Sequence, residues 1–138
     1  MKNLGLQFTA DFPDDMMDEG EGDDWHVVRP GGMALSHAIV EILRGKGLSV
    51  SEPDADLEHE SWVFTAEWQG KSHSTQIYDF PTDKFLHVWG SSPWLKNLLN
   101  RRDFYLEYLE LLRTGLCDDP RFGSVEWIDV NNRPISVD

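Results

Sequence analysis

Apolar and polar positions alternate most regularly between Glu60 and Gly90, ESWVFTAEWQGKSHSTQIYDFPTDKFLHVWG, and the rest of the chain is arranged around this stretch. Trp62, Phe64, Ala66 and Trp68 fall on alternate positions, the period-two pattern of a half-buried strand. Gln69-Gly70-Lys71-Ser72 predicts a two-residue hairpin, with Gly70 supplying the positive φ of a type II′ turn. Thr75, Ile77 and Asp79 then alternate with Ser74, Gln76 and Tyr78. Phe80-Pro81-Thr82-Asp83 forms a second turn, and Lys84 to Trp89 a third strand. The prediction is a three-stranded antiparallel meander over residues 60–90.

With Gly70 and Lys71 in the turn, Trp68 lies opposite His73, Ala66 opposite Thr75 and Phe64 opposite Ile77. A four-residue second loop sets Asp79 against Lys84, Ile77 against Leu86 and Thr75 against Val88. One face then carries Trp62, Phe64, Ala66, Trp68, Thr75, Ile77, Leu86 and Val88, a core face. The other carries Val63, Thr65, Glu67, Ser74, Gln76, Tyr78, Phe85, His87 and Trp89, which is mixed rather than polar. A one-residue slip would exchange the two sets within a strand.

Elsewhere the pattern is shorter. Leu4, Leu6 and Phe8 alternate in a first strand; Trp25 to Val28 and Leu48 to Ser51 read as further short strands. Leu35, Ala38, Ile39, Ile42 and Leu43 recur at the spacing of a helix stripe, ended by Gly45 or Gly47. The span 92–115 is helical in pattern. Ser92-Pro93 starts a short helix that buries Trp94, Leu95, Leu98 and Leu99. A longer helix runs from Asp103 to Thr114, with Gly115 as its stop. Val125, Trp127 and Asp129 mark a last strand, and 131–138 is a tail. These elements predict one α+β domain over residues 1–138. It has an antiparallel sheet of about five or six strands, with two main helices packed on one face.

Charge changes the functional picture. The net charge is −13, from 25 acidic and 12 basic residues. A nucleic-acid binder needs a basic footprint, and none is visible. Eight carboxylates and no lysine or arginine lie in Asp11 to Asp24, DFPDDMMDEGEGDD, which predicts a solvated, mobile acidic loop or a partner-facing arm. Residues 52–60 form a second acidic connection. Neither segment has calcium-loop or zinc-site spacing, so no metal is predicted, and no cofactor. No run is long and apolar enough for a membrane span, and the start of the chain lacks the apolar core of a signal peptide. Cys117, the single cysteine, has no internal partner and reads as a small core residue. The cytoplasm is the expected compartment.

The sequence contains no HExxH, GxSxG, CxxC or glycine-rich phosphate loop. The Gly31-Gly32 pair only faintly resembles an anion-binding turn. The best cluster for chemistry is the mixed face, where Glu67 and His87 could act as acid and base beside Gln76, Tyr78 and Trp89. The same aromatic composition suits an adhesive surface or a covered core. In general character the chain is similar to bacterial immunity proteins that block toxins, a likeness of type with no shared motif. The leading expectation is a non-catalytic module that binds a basic protein partner, such as a toxin. Tyr78, Phe85, His87, Trp89 and Glu67 would serve on the sheet face, and Asp14, Asp15, Asp18 and Glu19 on the acidic loop. The alternative is a small ligand-binding domain or enzyme centred on His87 and Glu67.

Overall fold

In the computed structural model, which describes residues 4–90 and 103–136, the chain forms an α+β domain built on an antiparallel sheet. Its strands are β1 (Leu4–Ala10), β4 (Ser49–Val50), β5 (Asp54–Asp56), β6 (Ser61–Trp68), β7 (Lys71–Asp79), β8 (Lys84–Gly90) and β9 (Phe122–Ile128). The order is β4-β6-β7-β8-β1-β9, with β5 also paired to β6, so the meander β6-β7-β8 sits at the centre. A separate two-stranded hairpin joins β2 (Met17–Glu19) to β3 (His26–Arg29). Two α-helices, α1 (Met33–Gly45) and α2 (Phe104–Asp118), and a short 3₁₀ turn (Gly22–Asp24) complete the described chain. The helix predicted to start at Ser92-Pro93, with Trp94, Leu95, Leu98 and Leu99, lies outside the described residues.

The meander has the predicted faces but a different first turn. Trp68 pairs with Lys71, Ala66 with His73, Phe64 with Thr75 and Trp62 with Ile77. The loop residues are therefore Gln69 and Gly70, at φ 53° and 75°, a type I′ pattern with both residues in the left-handed region. The shift from the expected register is two residues, an even number, so no side chain changes face. The second hairpin has the expected register: Asp79 opposite Lys84, Ile77 opposite Leu86 and Thr75 opposite Val88.

Phe64, Ala66, Ile77, Leu86 and Val88 on the core face join Leu6 and Phe8 of β1. Leu35, Ile39 and Leu43 of α1 and Tyr105, Tyr108, Leu109 and Leu112 of α2 complete a single buried cluster. Each large apolar side chain buried there stabilises by about 1.5–3 kcal/mol relative to exposure. The Tyr105 hydroxyl fastens two strands at once: it accepts from Leu4 N at 2.6 Å and donates to Val88 O at 2.6 Å. Burial pushes its pKa up to about 12, so it stays a neutral donor.

Gly115 does not end α2. It is buried inside the helix, and a Cβ there would come within 2.6 Å of Ile42 Cγ2 on α1. The glycine serves close helix approach instead of a left-handed turn. Cys117, in the last turn of α2, is exposed and is not a core residue. The chain beyond β9 is also more ordered than the predicted tail: Asp129 N–H donates to Arg133 O, Ile135 N–H to Trp127 O, and Ile128 bridges to Pro134.

Candidate functional site

Two regions carry the residues singled out by the sequence: the sheet face turned away from the core cluster, and the β2-β3 hairpin. On the sheet face, Tyr78 of β7 and Phe85 of β8 are register partners and stack, with ring centroids 4.6 Å apart and planes 18° off parallel. Phe85 continues to His87 at 5.3 Å, and His87 meets Trp89 edge-on at 5.9 Å. Alternate positions of one strand point to the same side, so Phe85, His87 and Trp89 form a ladder along β8. Aromatic pairs in such offset and edge-on geometries add about 0.5–1.5 kcal/mol each beyond simple burial.

The ladder is a partly closed surface. Phe85 and His87 are buried, Tyr78 is half-buried, and Trp89 at its end is 38 % exposed. His87 lies over Gly5 of β1, its register partner; a Cβ on Gly5 would fall 2.8 Å from the imidazole Cδ2. On the far side, His87 Nε2 sits 2.8 Å from Asn132 Oδ1, which requires the tautomer with its proton on Nε2. Burial holds the His87 pKa below that of a free imidazole, while Asn132 and the Asp129 charge oppose that shift. Next to the ladder, Gln76 Nε2 donates to Ser61 Oγ at 2.7 Å and to Asp56 Oδ2 at 3.1 Å. His87 is thus a neutral, hydrogen-bonded member of a packed surface.

Glu67 is not its neighbour. His87 pairs with Gln76 and Gln76 with Val63, four residues from Glu67 along β6. The two side chains are therefore separated by roughly 13 Å along the strands and about 10 Å across them. An acid–base couple does not form from that pair. Among the described residues no group of His, Cys, Asp and Glu side chains is placed to hold a metal ion.

The acidic loop is a built element. Asp15 Oδ1 accepts from Gly32 N at 2.7 Å and Oδ2 from Ala34 N at 2.8 Å, capping the first turn of α1 from a distant part of the chain. The faint anion-binding turn at Gly31-Gly32 is filled by this carboxylate. Arg29 of β3 closes the other side, donating through Nε and Nη2 to Asp15 O at 3.2 and 2.8 Å. Trp62 Nε1 donates to Pro30 O at 3.0 Å and ties the hairpin's exit to the sheet. Asp15 is accordingly a half-buried clamp between the hairpin and α1. Asp14 makes a local bond from Met16 N, and with Phe12, Asp79, Pro81 and Lys84 it lines a cavity of about 230 Å³. Asp79 and Lys84 form an ion pair there. Asp18 and Glu19 are exposed, and Asp18 Oδ2 accepts from Trp25 Nε1 at 2.9 Å.

Three further residues of this hairpin stand out only in the structure. Met16, Met17 and Trp25 are 43 %, 49 % and 50 % exposed, half of the large apolar side chains exposed among the described residues. The available signal was a Met-Met pair and a tryptophan inside an otherwise charged run. His73, likewise visible only in the structure, is fully buried and stacks on Tyr108 at 4.7 Å and 8°.

Fold and site together define an antiparallel α+β domain with a stacked aromatic face and a fixed acidic hairpin. No protein-family model, no curated protein and no solved structure matches the chain. Among the described residues, no helix is long and apolar enough to cross a membrane.

Proposed function

We propose that this protein is a non-catalytic binding module for a basic protein partner, acting in the manner of an immunity protein on a toxin. The observation that supports this reading most is the interlocked ladder Tyr78-Phe85-His87-Trp89, which ends in an exposed indole. Rigid aromatic side chains give large contact area at low entropic cost, and tryptophan and tyrosine dominate binding energy in protein interfaces. The ladder's rungs hold one another, so little freedom is lost when a partner covers them. The charge of −13 supports a basic partner, because long-range attraction speeds encounter and like-charged surfaces are rejected.

The test is capture from the source cell with the tagged parent and, in parallel, with Trp89→Ala. The expected result is a basic protein recovered with the parent and depleted by the variant. Recovery of no basic protein, or equal recovery with both baits, would overturn the reading.

A further inference from the structure

We infer that the β2-β3 hairpin is a preformed docking arm for a segment of the partner that is both basic and apolar. The inference rests on the protein-binding reading above and gives that partner a chemistry. Carboxylates alone would define nothing here, since a charged run on a surface is ordinarily a solvated one. What marks this hairpin is the exposure of Met16, Met17 and Trp25 among Asp14, Asp18, Glu19, Glu21, Asp23 and Asp24.

A two-stranded hairpin is marginal alone and has too little interior to bury three large side chains. Its stability comes from outside: the Asp15 carboxylate on α1, Arg29 on the Asp15 carbonyl, and Pro30 held by Trp62. Those contacts fix the arm's base while leaving Met17 and Trp25 half exposed and Met16 43 % exposed. Trp25 is additionally oriented, because its indole N–H donates to Asp18. The oriented indole and the two adaptable thioethers are partly exposed apolar contacts spaced along the arm. The surrounding carboxylates exclude nucleic acid and anionic membrane as occupants and favour arginine or lysine. The hairpin's only arginine, Arg29, is turned inward to Asp15 and does not neutralise them. The occupant is therefore an amphipathic cationic segment of a protein.

The experiment uses the full chain and two synthetic peptides, one alternating arginine with leucine and one alternating arginine with serine. Binding is followed by NMR of the Met methyl and Trp indole signals. The arginine–leucine peptide should shift the Met16, Met17 and Trp25 signals, and the arginine–serine peptide should bind about tenfold more weakly or worse. Met16→Ser/Met17→Ser/Trp25→Ser, checked for an unchanged fold by its remaining indole signals, should weaken the first peptide at least about tenfold. Asp54→Asn/Glu58→Gln, which removes charge from the other acidic segment, should change it less than about twofold. If the shifts fall instead on Trp89 and Tyr78, or the triple variant binds like the parent, the arm is not the docking site, although a basic partner survives. If neither peptide binds, the arm inference and the basic-partner reading both fail.

Discussion

The two faces of the central sheet each bury a histidine, and burial lowers the pKa of both, but their hydrogen bonding differs. His73, on the core face, is fully buried, stacked on Tyr108 and 6.1 Å from Tyr105; among the described residues neither of its ring nitrogens has a hydrogen-bond partner. His87, on the other face, is nearly as buried but bonds to Asn132 from the chain beyond β9. Among the described residues, side chains of both helices join the buried cluster of the core face, while the other face carries the aromatic ladder and the turn that holds Asn132. That other face stays accessible at Tyr78 and Trp89, which is what a binding face requires.

The largest expected effect is on the core face. Phe64→Ala removes a ring that is 1 % exposed and should destabilise by about 3–5 kcal/mol in chemical denaturation. Trp89→Ala on the opposite face should cost less than about 1 kcal/mol. Comparable losses would mean that the two faces are equally part of the core.

Acid should have the next largest effect. Burial lowers the pKa of His73 in the folded protein, opposed by the charge of Asp103, whereas the unfolded chain titrates near the ordinary histidine value of about 6.5. Below that value the unfolded state binds a proton that the folded state refuses, so stability falls as pH drops from about 7 toward 5. His87 acts in the same direction, but its bond to Asn132 and the Asp129 charge oppose the shift. Carboxylates with lowered pKa, such as Asp56 and Asp119, lose their contribution only at lower pH. Denaturation midpoints should therefore decline over this window in the parent and decline much less in His73→Phe. An equal decline in both would place the acid sensitivity elsewhere.

The smallest effect concerns the latch on the open face. Asn132→Ala removes one hydrogen bond to His87 and should cost about 0.5–1.5 kcal/mol. Its more specific consequence is for titration: without that bond the His87 pKa should fall further, as followed by NMR of the imidazole. A rise would show that Asn132 does not act on the ring as described.

Much of this was legible in the sequence, for reasons that also explain the errors. Alternation fixes which side of a strand a residue faces, so the two faces of the meander could be read even though the first turn was misplaced. Gln69 at positive φ gives no local signal, because glutamine is not a residue that favours that region. Gly115 gave a misleading one: a glycine near a helix end suggests a stop, but this one answers to Ile42 on another helix. The acidic run read as mobile because its charges repel. The partner of Asp15, the start of α1, lies 17–19 residues away and is visible only once the chain is folded. Distance also undid the Glu67–His87 pair, since sharing a face does not bring two residues into the same register row.

The open face is the proposed interface, and binding kinetics decide whether a partner covers it. With a captured partner on a surface plasmon resonance chip, raising salt should mainly slow association with the parent. Tyr78→Ala and Trp89→Ala should mainly speed dissociation, each by about tenfold or more if it acts as a central contact. If both variants remain folded and dissociate at the parental rate, the ladder is scaffold and the face is not where the partner binds.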